Sequence, residues 1–289
     1  NLPLLSAAAP FKAGSRNDAS AYTDIPAGPL AIKNVADLYL YDNVTALLKV
    51  TGKGLREWLE MSAGQFNQID PNKPQAQDLI NTDYRTYNFD VIDGINYKYD
   101  VTQPNKYDRD GNLVNPDAHR VQDLTYQGKP ISDDQEFMVV TNNYRASGNF
   151  PGVRNASENR LLNLENRQVL INYITAVKTI NPTADQNWGF TDAIKGLDIH
   201  FRTAERAKDL LCDRSSIQFV ASDPSNKGFG DFKYIYSDQI NQAQDLNPKS
   251  QEVKGQEVSS QASLSLEQRQ AILQMVTEND QALQNQPTS

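Results

Sequence analysis

The hydrophobic pattern between residues 43 and 66 predicts a strand, a turn and a helix in succession. The segment "NVTALLKV", Asn43 to Val50, is rich in β-branched and aliphatic residues and ends at the turn sequence "TGKG". The next segment, "LREWLEMSAGQF", has apolar positions at the spacing of one helical face. The residues on that face are Leu55, Trp58, Leu59 and Ser62.

Further segments predict strands and one long helix. The strand segments are "INYKYDV", "VQDLTY", "EFMVVT", "SIQFVA" and "FKYIYS", and "QGKPIS" predicts a hairpin turn at Gly128 and Pro130. Residues 157–178 have near-helical apolar spacing and predict the longest helix of the folded body. Because strands and helices do not alternate strictly, the pattern favours an α+β domain over a doubly wound parallel sheet.

Composition changes sharply after Ser237, which predicts a domain boundary there. The last 52 residues contain no aromatic residue, one glycine and 12 glutamines, and acidic residues outnumber basic ones seven to three. We therefore expect a folded domain over 1–237 and a Gln-rich acidic tail over 238–289. Within the tail, Ser265 and Gln268 have capping-box spacing, so residues 264–283 predict one helix.

Charge and cysteine content exclude some functions. The net charge of −8 disfavours binding to a nucleic-acid polymer, which requires clustered Lys and Arg. The single cysteine, Cys212, cannot form an internal disulfide. No apolar run approaches the roughly 18 residues of a membrane helix, and we expect the opening "NLPLLSAAAPF" to be mature sequence from within a larger protein.

The residues predict binding rather than bond-breaking. Catalytic metal sites need several ligands at short spacing, whereas His119 and His200 each stand alone. No nucleophile elbow, HExxH pair or phosphate loop is present in the sequence, and "YDRDGNLV" is typical of a β-turn. No metal ligand is therefore expected in this chain.

Aromatic and amide residues lie near two predicted strand ends. In "DLYLYDNV", Tyr39, Tyr41 and Asn43 share one strand parity, and in "TNNYRASGNF" Tyr144 ends the preceding strand. Two rings about 7 Å apart can sandwich a nucleobase, and an adjacent amide such as that of Asn43 can hydrogen-bond the base edge. Packed structural tyrosines are the alternative that this pattern leaves open.

At these residues the sequence resembles the C-terminal domain of the 5′-nucleotidase family, and most narrowly its 2′,3′-cyclic-nucleotide 2′-phosphodiesterase/3′-nucleotidase branch. The resemblance covers residues from about Leu2 to Tyr236 but not the tail. It rests on "LSAAAPFKAGSRND", "VADLYLYDN", "REWLEMSAGQFNQIDP", "YRTYNFDVIDGINY" and "VTNNYRASG".

The resemblance implies a four-layer α/β/β/α fold and a domain that binds the nucleoside and rotates to deliver it. An N-terminal metallophosphatase domain of the same polypeptide would hold two divalent metal ions, so this chain would be inactive alone. The implied reaction is hydrolysis of 2′,3′-cyclic nucleotides and then of 3′-nucleotides, in the periplasm or cell envelope.

The resemblance also implies the site residues. Tyr41 and Tyr144 would stack on the base, beside Asn43 and Asn143. The turn after Tyr144 would contact substrate through Arg145, Ala146, Ser147, Gly148, Asn149 and Phe150, although the Gly-Gly-Asp of many relatives is absent here. Arg16 would bind phosphate. Residues 87–89 lie in another resembling segment, for which a core strand is expected.

Two alternatives stay open on the sequence. The chain could be a free-standing nucleoside-binding module with the acidic tail as an interaction arm, or a non-catalytic surface domain whose tyrosines are only packed.

Overall fold

A computed structural model describes residues 2–9, 15, 17–21, 23–182, 186–211 and 216–237. The predicted tail helix, Arg16 and Cys212 lie outside the described residues. The strands, in chain order, are β1 (Leu4–Ala8), β2 (Val44–Thr51), β3 (Gln77–Asp78), β4 (Val91–Asp93), β5 (Asn96–Tyr99), β6 (Val121–Tyr126), β7 (Lys129–Pro130), β8 (Glu136–Asn142), β9 (Glu158–Glu165), β10 (Trp188–Phe190), β11 (Ile199–Ala204), β12 (Ile217–Ser222) and β13 (Phe229–Tyr234). The α-helices are α1 (Ile32–Leu38), α2 (Gly52–Ser62), α3 (Asn143–Ser147) and α4 (Asn166–Val177).

The strands form three sheets within the described residues. Their orders are β4-β1-β8-β2-β9, β10-β5-β6-β7 and β12-β13-β11-β3. The first sheet is mixed, because β1 runs parallel to β8 while β2 runs antiparallel to both β8 and β9. Mixed sheets with separate helices make this an α+β fold, as the sequence predicts.

The strand and helix predicted for residues 43–66 are confirmed, but no separate turn divides them. The hydroxyl oxygen of Thr51 accepts a hydrogen bond from the Gly54 amide and caps α2, which begins at Gly52. Gly52 must be glycine because a Cβ there would lie 2.1 Å from the Ser132 carbonyl oxygen. The predicted face of α2 is sealed, with Leu55, Trp58 and Leu59 fully buried.

A buried arginine joins the end of α2 to the second sheet. The Arg120 guanidinium is fully buried and donates hydrogen bonds to the carbonyls of Ala63 and Phe66 at the end of the helix. From α2, the Glu60 carboxylate accepts from the backbone amides of Arg120 and Val121. Burial lowers the pKa of Arg120 to about 10, and the negative charges of Glu60 and Asp100 oppose this shift. Burial raises the pKa of Glu60, and the positive charge of Lys106 opposes that rise.

The hairpin predicted at Gly128 is confirmed. Strands β6 and β7 pair in antiparallel register, with Thr125 opposite Pro130 and Tyr126 opposite Lys129. Gly128 occupies the left-handed region at φ +74°, which suits glycine in a tight turn.

The prediction of one long helix over 157–178 is wrong for its first half. Residues Glu158–Glu165 form β9, an edge strand that pairs with β2, and only Asn166–Val177 are helical. Helix α4 buries none of its residues fully. The first half of the segment is a strand because its backbone hydrogen bonds to β2 outweigh the helical preference of its apolar spacing.

The third sheet contains a histidine between two carboxylates. His200 on β11 has Nδ1 at 2.8 Å from Asp231 Oδ2 and Nε2 at 3.1 Å from Asp198 Oδ1. Burial lowers the pKa of His200, but the two carboxylates outweigh burial and the net effect is a raised pKa.

Within the described ranges, no helix is both long and apolar enough to cross a membrane.

The His200 cluster predicts a loss of stability as pH rises above about 6.5. Because the folded-state pKa lies above the ordinary 6.5, the contribution is complete below about pH 6.5 and is lost as pH rises through the raised value. We expect the urea-unfolding free energy of the wild type to fall over this window more than that of His200→Gln. His119→Gln, at the exposed second histidine, is the control. Parallel pH profiles for wild type and His200→Gln would contradict the prediction.

Candidate functional site

Two exposed tyrosines lie at the same end of two neighbouring central strands of the first sheet, β2 and β8. Tyr41 precedes β2 and Tyr144 follows β8, and the antiparallel pairing of Thr45 with Asn142 places both at the same end of these strands. Their exposed fractions are 57% for Tyr41 and 52% for Tyr144. Neither ring is therefore sealed in the core, as a purely packed tyrosine would be.

The local conformations at both tyrosines differ from those predicted. Residues 39–43 form a loop and not a strand, since Arg167 donates hydrogen bonds to the carbonyls of Tyr39 and Leu40 and to the Asp42 carboxylate. Tyr144 lies in helix α3 and does not end a strand. The Asn142 side-chain oxygen accepts from the Arg145 amide and caps this short helix, which the sequence "TNNYR" could have indicated.

Asparagines tie the two tyrosine-bearing segments together. The amide nitrogens of Asn43, Asn142 and Asn166 lie 3.0, 3.2 and 3.0 Å from the Tyr39 hydroxyl oxygen. Asn143 connects the segments directly, because its side-chain oxygen accepts from the Val44 amide at 3.0 Å. Tyr39, predicted only to share strand parity with Tyr41, is thus a structural centre of the site.

A buried ion pair supports the segment that carries Tyr144. Arg145 Nε lies 2.6 Å from Asp90 Oδ2, with side-chain exposures of 5% and 4%. Trp58 from α2 donates to the same carboxylate oxygen at 2.8 Å, and the guanidinium carbon lies 3.8 Å from the centre of the Phe150 ring. Burial raises the pKa of Asp90, while Arg145 and Trp58 oppose that rise by stabilising the charged form.

The predicted substrate-contacting turn is divided by burial. Arg145, Ala146 and Phe150 are buried, and Phe150 packs edge-on against Trp58. Ser147, Gly148 and Asn149 are exposed. The buried members shape the turn from inside and present no side chain to solvent. Gly148 has φ −78°, which any residue can adopt, so the backbone itself does not require glycine there.

Tyr87 also belongs to the site, although a core strand was predicted for residues 87–89. Thr86–Asn88 is a short 3₁₀ helix, in which Tyr87 is 45% exposed while Asn88 is buried. The Tyr87 and Tyr144 rings meet edge to face, with centroids 6.1 Å apart. The sequence "TYNF" gives little indication that Tyr87 is exposed. In a strand, Tyr87 and the buried Phe89 would lie on the same face, so the pattern predicts that both are buried.

A cavity of about 1180 Å³ adjoins these rings, and its lining includes Tyr41 and Tyr87. From the third sheet, Phe201 and Phe229 contribute apolar surface. The charged lining residues are Asp18, Asp78, Asp83, Arg85, Arg202, Asp223 and Asp231. Five of these seven charged residues are aspartates, so the charge of the lining favours neutral or cationic groups over anionic ones.

The tyrosine at the helix has a perturbed hydroxyl. Partial burial raises the pKa of Tyr144, Tyr87 adds to that rise, and the Arg145 charge opposes it. The part of the chain that the structure describes contains no group of three or more His, Cys, Asp or Glu residues able to hold a metal ion. The site is thus suited to aromatic stacking and hydrogen bonding.

Residues 7–151, half of the chain, match the family model described as the 5′-nucleotidase C-terminal domain. The chain is 50% identical over 244 residues to the trifunctional nucleotide phosphoesterase protein YfkN of Bacillus subtilis, covering 83% of this chain and 16% of that protein. It is 48% identical over 225 residues to a 2′,3′-cyclic-nucleotide 2′-phosphodiesterase/3′-nucleotidase of Haemophilus influenzae, covering 74% of this chain and 34% of the relative. This chain thus spans about a third or less of the length of these relatives.

Solved structures give weaker similarity. A 5′-nucleotidase precursor from Thermus thermophilus aligns with a TM-score of 0.49 at 15% identity, over 65% of this chain and 32% of that chain. A 5′-nucleotidase from Staphylococcus aureus aligns with a TM-score of 0.42 at 21% identity, over 59% of this chain and 30% of that chain.

Removing one partner of the buried ion pair should destabilise the protein strongly. Arg145→Met leaves the Asp90 carboxylate buried without its counter-charge, so we expect a loss of roughly 3–5 kcal/mol in the urea-unfolding free energy. Arg206→Met removes an exposed pair with Asp24 and should cost only about 0–1 kcal/mol. Equal losses in the two variants would show that the buried pair has no special weight.

Proposed function

Since this chain belongs to the 5′-nucleotidase C-terminal domain family, we propose that it is the nucleoside-binding domain of a metal-dependent hydrolase acting on 2′,3′-cyclic nucleotides and 3′-nucleotides. The observation that carries this proposal is that Tyr41 and Tyr144 are both exposed and lie at the same end of the paired strands β2 and β8. The names of the 44–50% identical relatives support the substrate class.

In the proposed complex the base stacks between Tyr41 and Tyr144. Stacking on aromatic side chains contributes roughly 1–3 kcal/mol per base and accepts any base, because every base has a π-face. Asn43 then hydrogen-bonds the base edge, and Asn143 fixes the spacing by its bond to the Val44 amide. All of these side chains are uncharged, as expected of a site that binds the base, the uncharged part of a nucleotide.

In the proposed complex, the exposed part of the turn meets the sugar. Ser147 and Asn149 offer polar side chains, and Gly148 offers backbone. Five aspartates and two arginines line the adjoining cavity, so its net charge disfavours an anionic group there. Arg16, outside the described residues, is proposed to bind phosphate by similarity to the family, since a guanidinium matches phosphate oxygens.

Bond cleavage is assigned to another domain. Among the described residues, no group of three or more His, Cys, Asp or Glu side chains could hold a metal ion. Two divalent metal ions in an N-terminal metallophosphatase domain of the same polypeptide would lower the pKa of a bound water. The proposal includes the four-layer α/β/β/α arrangement, rotation of this domain towards the metals, and a periplasmic or cell-envelope location.

Loss of either stacking ring should weaken nucleoside binding. We expect Tyr41→Ala and Tyr144→Ala each to raise the Kd for adenosine roughly 5- to 150-fold, as measured by calorimetry. Tyr41→Phe and Tyr144→Phe should bind nearly as well as wild type, because the ring supplies the stacking. Tyr173→Ala, on helix α4, is the control for loss of an exposed tyrosine. Wild-type affinity in both alanine variants would exclude the stacking site.

The chain by itself should not hydrolyse its ligands. With 2′,3′-cyclic AMP and added Mn²⁺ or Zn²⁺, we expect no phosphate-ester cleavage above the metal-only reaction, while adenosine binding is retained. Metal-dependent turnover that survives substitution of both His119 and His200 would contradict the assignment of cleavage to another domain. Absence of both turnover and binding would instead reject the nucleoside-binding proposal.

A further inference from the structure

Tyr87 makes a contact that core packing does not explain. Its ring is nearly half exposed and meets the Tyr144 ring at an interplanar angle of 80°. Edge-to-face geometry directs the positive edge of one ring at the negative face of the other and fixes their relative orientation. Such a contact between two exposed rings buries little apolar area, so its main effect is on orientation.

The backbone segments that carry both rings are held by one residue, Arg145. Arg145 follows Tyr144 directly, and its Nη2 donates to the Tyr87 carbonyl and to Asn88 Oδ1, both at 3.1 Å. The Arg145 amide is in turn held by the Asn142 cap. The backbone on each side of the ring pair is therefore fixed from below, and the remaining freedom lies in the tyrosine side chains.

We propose that Tyr87 is a positioning residue of the nucleoside site, holding the Tyr144 ring in the orientation in which it stacks on the base. The inference rests on the proposed function. An exposed tyrosine loses side-chain freedom when it binds a ligand, and a ring that is already oriented loses less.

The proposal predicts a graded effect on affinity. Tyr87→Leu removes the ring but keeps an apolar side chain, and we expect it to raise the Kd for adenosine roughly 2- to 12-fold. Tyr87→Phe keeps the ring and should restore wild-type affinity. Tyr173→Leu makes the same substitution on α4, where it should leave affinity unchanged.

A double-mutant cycle separates positioning from general loss of structure. In the Tyr144→Ala background, Tyr87→Leu should cause no further loss of adenosine affinity, because the ring that it orients is gone. If the two substitutions act additively, or if Tyr87→Leu has no effect in the wild type, the proposal is overturned. The cycle is run on the full chain, and the urea midpoint of each variant verifies folding.

A ligand-free measurement keeps this inference distinct from the proposed function. In protein labelled with 3-fluorotyrosine, the Tyr144 ¹⁹F resonance is assigned by its absence in Tyr144→Phe. Tyr87→Leu should shift that resonance by removing the neighbouring ring, and Tyr173→Leu should not. An unmoved resonance overturns the positioning role. A shifted resonance in a protein that binds no adenosine supports the ring coupling and rejects only the nucleoside site.

Discussion

The ion pair between Asp90 and Arg145 is the interaction on which the arrangement of the site depends. Both side chains are almost completely removed from water. Such burial is tolerated only where hydrogen bonds satisfy the charged groups. Here Trp58 donates to Asp90, while Asn88 and the Tyr87 carbonyl accept from Arg145. One pair thus joins helix α2, the Thr86–Asn88 segment and helix α3.

A second, uncharged system fixes the opposite side of the site. Four asparagines and the Tyr39 hydroxyl link the start of β2, the end of β8 and the start of α4. Amides suit this role because each offers both donors and an acceptor, so one side chain can bridge two backbone segments. The loop that carries Tyr41 is therefore held by side chains, with no strand partner required.

These two systems hold the backbone beneath three exposed aromatic rings. Tyr41, Tyr87 and Tyr144 keep about half of their surface accessible, although each is attached to well-anchored backbone. A scaffold that orders the backbone beneath exposed rings reduces the entropy lost when a flat ligand binds. The adjoining cavity is lined by five aspartates and two arginines, a balance that disfavours an anionic group there.

Elements with local signals could be predicted from the amino-acid sequence alone. The strand at residues 44–51, the buried face of α2 and the glycine hairpin at residue 128 follow from periodicity and turn chemistry. Unusual strings such as "TNNYRASG" also carry the resemblance on which the proposed site rests. Burial within that region could not be derived, because each string mixes exposed Tyr144 with buried Arg145 and Phe150.

Which of these residues face solvent depends on contacts that form only when the chain folds. Residues 158–165 form a strand because they pair with β2. Tyr87 is exposed because the nearby Asn88 and Asp90 are held in the interior by Arg145, which is 55 residues from Asp90 along the chain. Periodicity reports the preference of a short segment. Pairing, burial and charge compensation depend on residues that become neighbours only after folding, so no local pattern could contain them.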